Sequence, residues 1–209
     1  ITDFSPQGLS NIAWALATLD IARHEASCCF FSMAATVAAA EIKTYPPQAI
    51  SNVCWALSRG NSGDEAFSSF GRQAAREAQE RCREFSWQDL SGIVSALMNL
   101  GLKSDADVQA LTASLVQRAS TCCSQIGTQA LLNIALSAVR MKLNPEVLTP
   151  MAWAIAETFG NRSQSLNDID LRQWNEVQVY CNLPGSDSPV RPGSHGEGVG
   201  VPHNVGPIG

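Results

Sequence analysis

Apolar residues recur along the first 160 residues at helical spacing, not in alternation. Over residues 4–19 they are Leu9, Ile12, Ala13, Leu16 and Leu19, the i, i+3, i+4, i+7, i+10 pattern of one helix face. The same template returns as Ile50, Val53, Cys54 and Leu57, then Leu90, Ile93, Val94 and Leu97, then Leu131, Ile134, Ala135 and Ala138. No stretch shows convincing period-two alternation, so strands are not expected.

The recurrence is an internal repeat. Segments 4–19 (FSPQGLSNIAWALATL), 45–60 (YPPQAISNVCWALSRG), 85–100 (FSWQDLSGIVSALMNL) and 126–141 (IGTQALLNIALSAVRM) align without gaps, and 166–181 (LNDIDLRQWNEVQVYC) is a weaker fifth copy. Their starts at 4, 45, 85, 126 and 166 are spaced by 41, 40, 41 and 40 residues. Start signals accompany them: Ser5 as an N-cap before Pro6, and Ser86 with Asp89 three residues on. Gly60 and Gly101 fall near the expected ends, and Arg59 and Arg140 in last turns, where a cation suits the helix dipole. A second helix per repeat is expected from about His24 to Ile42, Asp64 to Arg83, Asp105 to Thr121 and Pro145 to Phe159, with Asp64, Asp105 and Asn144 as caps. Asn61–Gly63, Gly101–Ser104 and Lys142–Asn144 make the turns between them. Two helices per 40-residue unit, repeated about four and a half times, predict an all-α, right-handed α-solenoid over residues 1–181 in which each hairpin buries its apolar face on its neighbours.

Residues 182–209 break the pattern. From 185 onward they hold seven of the chain's 15 Gly and four of its 10 Pro. Such a segment buries too little apolar surface to offset its ordering entropy. It is expected as an extended tail, ordered by packing on its own domain or by a partner.

A second set of positions repeats without being apolar. Counted from each segment's first residue as offset zero, offsets 3, 7, 10 and 14 share one helix face. They read Gln7, Asn11, Trp14 and Thr18; Gln48, Asn52, Trp55 and Arg59; Gln88, Gly92, Ser95 and Asn99; Gln129, Asn133, Leu136 and Arg140. Stacking would set these side by side as amide ladders with a Trp pair. Amides can read base edges and aromatic faces can stack on bases. The competing reading is structural, with Asn bonding a neighbouring repeat's backbone, Trp filling the space between hairpins and Gln satisfying first-turn N–H groups. Lys103 and Lys142 join Arg59 and Arg140 as a basic set at the helix ends, open to phosphate contact or to a dipole role.

The block Ser5-Pro6-Gln7-Gly8-Leu9-Ser10-Asn11-Ile12-Ala13-Trp14-Ala15-Leu16-Ala17-Thr18-Leu19, echoed from Pro46 to Leu57, resembles the helical repeats of the octotricopeptide family and of related RAP-domain, FAST-kinase-like organellar proteins. The resemblance spans roughly Phe4 to Gly160, specific in the first two copies and degenerate in the next two. It implies an α-solenoid in a plastid or mitochondrion that binds RNA within a ribonucleoprotein. The Pro-Pro-Pro-Glu-Trp element of octotricopeptide units is missing, and no RAP domain is recognisable after Gly160.

Charge and composition narrow the function. Net charge is −5, from 14 basic and 19 acidic residues, which excludes non-specific coating of a polyanion. Through Asn161 the balance is 11 to 14, so the array is only mildly acidic and a narrow contact with RNA stays open. The charges over residues 64–84 fall at i, i+3 and i+4 and read as a solvated face. Seven Cys with no C-x-x-C predict mostly buried, reduced thiols. No apolar run of about 18 residues exists, so no ordinary membrane-spanning helix is expected. The first residue is Ile rather than Met, which leaves open a leader or a longer N-terminal part ahead of it. Three scattered His, no Gly-rich phosphate loop, no H-E-x-x-H and no G-x-S-x-G argue against an enzyme, a metal or a cofactor. Asp168 and Asp170, two apart at a helix start, suit the dipole better than an acid–base dyad. The expectation is a non-catalytic organellar subunit that is RNA-associated, or else a protein scaffold at the periphery of a large photosynthetic or respiratory complex, held by its tail.

Overall fold

The computed structural model describes residues 4–22, 24–60, 63–161 and 166–183. The expected tail, from residue 184, lies outside them, as do Asn61 and Ser62 of one expected turn. Nine α-helices are present among the described residues, with no strand: α1 (Pro6–Thr18), α2 (Glu25–Ala40), α3 (Pro47–Ser58), α4 (Glu65–Glu80), α5 (Trp87–Asn99), α6 (Ala106–Ser120), α7 (Thr128–Arg140), α8 (Pro145–Asn161) and α9 (Asp168–Tyr180). The protein is all-α.

Local chemistry starts and stops these helices. Ser5 Oγ accepts from Gly8 N at 3.1 Å with Pro6 at the first position, and Ser86 and Asp89 form a reciprocal capping box. Asp64, Asp105, Asn144 and Asn167 each accept from first-turn amides. Helices α1, α5, α7 and α9 end alike. Asp20, Gly101, Lys142 and Asn182, all at offset 16, have φ of 58°, 81°, 56° and 50°. The next residue's N–H reaches back across the turn, as in Ile21 to Leu16, Leu102 to Leu97, Leu143 to Ala138 and Leu183 to Gln178. This is the Schellman ending, which satisfies the last carbonyls. Gly101 takes the left-handed role that suits glycine, whereas Gly60 has a different reason to be small: a Cβ there would sit 3.0 Å from the Phe67 ring. The second helices run slightly shorter than expected in the first two repeats, and α2 gives way to a 3-10 turn at Ile42–Thr44. Inside α8, Pro150 removes one helical N–H donor.

Contacts arrange the helices in two rows. Helices α1, α3, α5, α7 and α9 pack successively against one another, and α2, α4, α6 and α8 do the same alongside. The apolar stripe of the sequence faces inward between the rows: Leu9 is buried, and Ile50, Val53, Leu57, Leu90, Ile93, Leu97, Leu131 and Ile134 are all but fully buried and continuous with Phe67, Phe70, Leu111 and Leu115 of the second row. Leu19 departs from the expectation: it is 69% exposed. Tyr180 Oη donates to Leu143 O at 2.7 Å, tying α9 to the α7–α8 turn.

The charged second helix of repeat two is not merely a solvated face. Arg72 Nε lies 3.3 Å from Asp105 and Arg76 Nε 2.7 Å from Asp107, so α4 clasps the start of α6. Glu77 is buried and pairs with Arg81 at 3.1 Å, and Arg81 also donates to Tyr45 O and to Glu84. None of the seven cysteines forms a disulfide, but only Cys54, Cys123 and Cys181 are buried; Cys29 is exposed and the other three are half-buried.

Candidate functional site

The first-row helices present their offset 3, 7 and 10 side chains on one face, with the core stripe on the other. Gln7, Gln48, Gln88 and Gln129 are all exposed there, as is Asn11, while Asn52 and Asn133 are half-buried. The Gln residues do not serve first-turn amides. Gln7 Nε2 donates to Asn11 Oδ1 at 3.1 Å, and Gln129 Nε2 repeats the contact with Asn133 Oδ1 at 2.9 Å. Among the described residues no Asn of this stripe bonds a neighbouring repeat; the bond that crosses between α3 and α5 comes from Ser51 Oγ to Asp89 O, at 3.4 Å.

The two tryptophans come together. Trp14 on α1 and Trp55 on α3 have ring centroids 6.2 Å apart at 35°, and they remain 47% and 36% exposed. An indole filling the space between hairpins would be covered; these are not. Leu136, at the same offset in α7, is buried, so the aromatic step is confined to the first two repeats.

These residues open onto a groove of about 660 Å³ running across α1, α3, α5 and α7, lined by Trp14, Asn52, Trp55, Gln88, Gln129 and Asn133 of the predicted stripe. Ser51, Trp87, Ser91, Gly92, Gly127, Thr128 and Ala130 complete it, and no lining residue carries a charge. Trp87 was not recognisable from the repeat pattern because its counterparts at offset 2 are Pro6, Pro47 and Thr128. It forms one wall and carries the Arg118 guanidinium 5.0 Å from its ring centroid. Gly92 keeps the groove floor open between α3 and α5, since a Cβ there would lie 3.1 Å from Ser51 Oγ.

The remaining stripe and basic residues lie elsewhere. Thr18, Arg59, Asn99 and Arg140 are exposed toward the C-terminal ends of their helices, and Ser95 is half-buried. Arg59 pairs with Asp20 at 3.3 Å, bridging the first two repeats. Lys142 occupies the left-handed terminal position after α7, and the Lys103 carbonyl accepts from Gln109. None of these cations lines the groove, so the basic set and the amide–tryptophan set are separate features. Asp168 and Asp170 sit in the first turn of α9, where Asp170 is buried. No helix among the described residues is long and apolar enough to cross a membrane. Compared with protein-family models, with curated proteins and with solved structures, the chain matches none.

Proposed function

We propose that this protein is a non-catalytic helical-repeat subunit, a right-handed α-solenoid of about four and a half repeats, that holds single-stranded RNA in its first-row groove as part of an organellar particle such as a plastid or mitochondrial ribosome. The observation that carries this reading is the exposed Trp14–Trp55 pair at one end of a groove edged by amides. Stacking of a base on an exposed aromatic contributes about 1–3 kcal/mol and tolerates any base. Neighbouring Asn and Gln amides offer donors and acceptors to the edges of unpaired bases. The resemblance of the first two repeats to octotricopeptide units supports the same reading. Because the groove is uncharged, the contact is with bases first, and phosphates meet only the outlying Lys103, Arg140 and Lys142.

Titrating the full chain with a labelled single-stranded RNA, read by tryptophan fluorescence over a salt series, tests it. Trp14→Ala and Trp55→Ala should each weaken binding by about 5- to 100-fold. The salt dependence should be shallow, with a slope near −2 for about three phosphate contacts. Absence of binding at low salt, or unchanged affinity in both variants, refutes the proposal. The neutral groove and the net charge of −5 favour a second reading, a protein scaffold in a large organellar complex. Under it, removing residues 185–209 lowers incorporation into the complex while RNA affinity stays undetectable.

A further inference from the structure

The outer face of α1 has the composition of an internal interface. Offsets 4, 8, 11 and 15 form one stripe of each first-row helix, on the side turned to the preceding repeat; Asp89 at offset 4 receives the Ser51 bond from α3. At offset 8, Val53, Ile93 and Ile134 are fully buried. At offset 11, Ala56, Ala96 and Ser137 are buried, and at offset 15 so are Gly60, Leu100 and Met141. In α1 the same offsets hold Gly8, Ile12, Ala15 and Leu19, equally small or apolar. Here they are uncovered: Gly8 and Ile12 are half-buried, and Ala15 and Leu19 exposed. Helix α1 contains no charged residue at all. A stacked array presents polar residues where its outer face meets water, and this face of α1 has none.

The opposite end differs. The stripe turned to a following repeat comprises offsets 2, 6, 9 and 13, which carry Pro6, Ser10, Ala13 and Ala17 in α1 and Trp87, Ser91, Val94 and Met98 in α5. In α9 these offsets are Asp168, Arg172, Asn175 and Val179, all exposed. Head-to-tail stacking of a second copy would bury Asp168 and Arg172 against Ile12 and Ala15, which offer neither charge a partner, at a desolvation cost. The two ends do not match each other.

We infer that the outer face of α1, built on Gly8, Ile12, Ala15 and Leu19, docks one more helical hairpin of this chain's own repeat class, distinct from a second copy of the chain, whose contacting helix carries small side chains at the offsets of Ser10, Ala13 and Ala17. The face continues the row of contacts that joins α1 to α3 and α3 to α5, so the docked helix runs parallel to α1 at the same spacing.

The probe is a copy of residues 45–84 fused ahead of Phe4, which reproduces the natural 40-residue spacing. The fusion should raise the melting temperature by about 4 °C or more and slow amide exchange in α1 at least about tenfold. Ala15→Glu in the fusion should cancel both gains, while Ala15→Glu in the unfused chain, at an exposed site, should leave its melting temperature unchanged. Unchanged α1 exchange in the fusion overturns the inference. Sedimentation of the unfused chain guards against the alternative: a dimer abolished by Ala15→Glu assigns the face to a second copy and also overturns it.

Discussion

Helices α3 and α4 form one hairpin and share one core, yet their outer surfaces follow opposite logic. Helix α3 has no charged residue between Pro47 and Ser58 and shows Asn52 and Trp55 to the groove, with Gln48 exposed on the same face. Helix α4 carries Glu65, Arg72, Arg76, Glu77 and Glu80, and most of these charges already have protein partners on α4, α6 or the turn after α4. The second row therefore uses its polarity internally, to hold one repeat to the next. The first row uses its amides within single helices, Gln7 on Asn11 and Gln129 on Asn133, and keeps Trp14 and Trp55 exposed.

The comparison can be broken from the core outward. Phe70→Ala removes a fully buried ring shared by both rows and should cost about 3–5 kcal/mol, seen as a lower urea midpoint. Glu77→Ala leaves the half-buried Arg81 without its buried partner and should cost about 1–3 kcal/mol, with Glu77→Gln, which keeps an acceptor, costing less. Arg76→Gln breaks the link to Asp107; Arg76 is largely exposed, so the loss should be about 0–1 kcal/mol and should vanish in high salt. Substituting Asn11, Asn52 and Asn133 together by Ala should change stability by no more than about 0.5 kcal/mol per site. If the triple variant melts like Glu77→Ala, the first-row stripe is structural and the contrast between rows disappears. Thiol labelling adds a check without mutation: Cys29 should react first, and Cys54 and Cys181 last, since burial raises both their thiols above the ordinary range and hides them.

Caps and core stripes were legible because they depend on residues three or four apart. Ser5 reaches Gly8, and Ser86 exchanges bonds with Asp89, within one turn. The amide and tryptophan positions were legible as a pattern for the same reason. Their exposure was not, because the same offsets could equally have been covered by a neighbouring hairpin. The Schellman endings at Asp20 and Lys142 escaped notice since neither is the glycine that usually marks a left-handed residue.

The sequence by itself determined the 40-residue period, the hairpin in each unit, the helix starts and the inward apolar faces. These follow from local hydrogen bonding and from helical periodicity, which the chain cannot evade. Only the tertiary structure decided that Trp14 meets Trp55, that Arg72 and Arg76 hold α6, that Trp87 walls a groove free of charge, and that the Leu19 side of α1 stands uncovered. The contacts of Trp14 with Trp55, Arg72 with Asp105 and Arg76 with Asp107 join residues 41, 33 and 31 positions apart, and the groove gathers residues from Trp14 to Asn133. They depend on the distance and rotation between stacked helices, which side-chain volumes across the whole interface set together and no single stretch of sequence encodes.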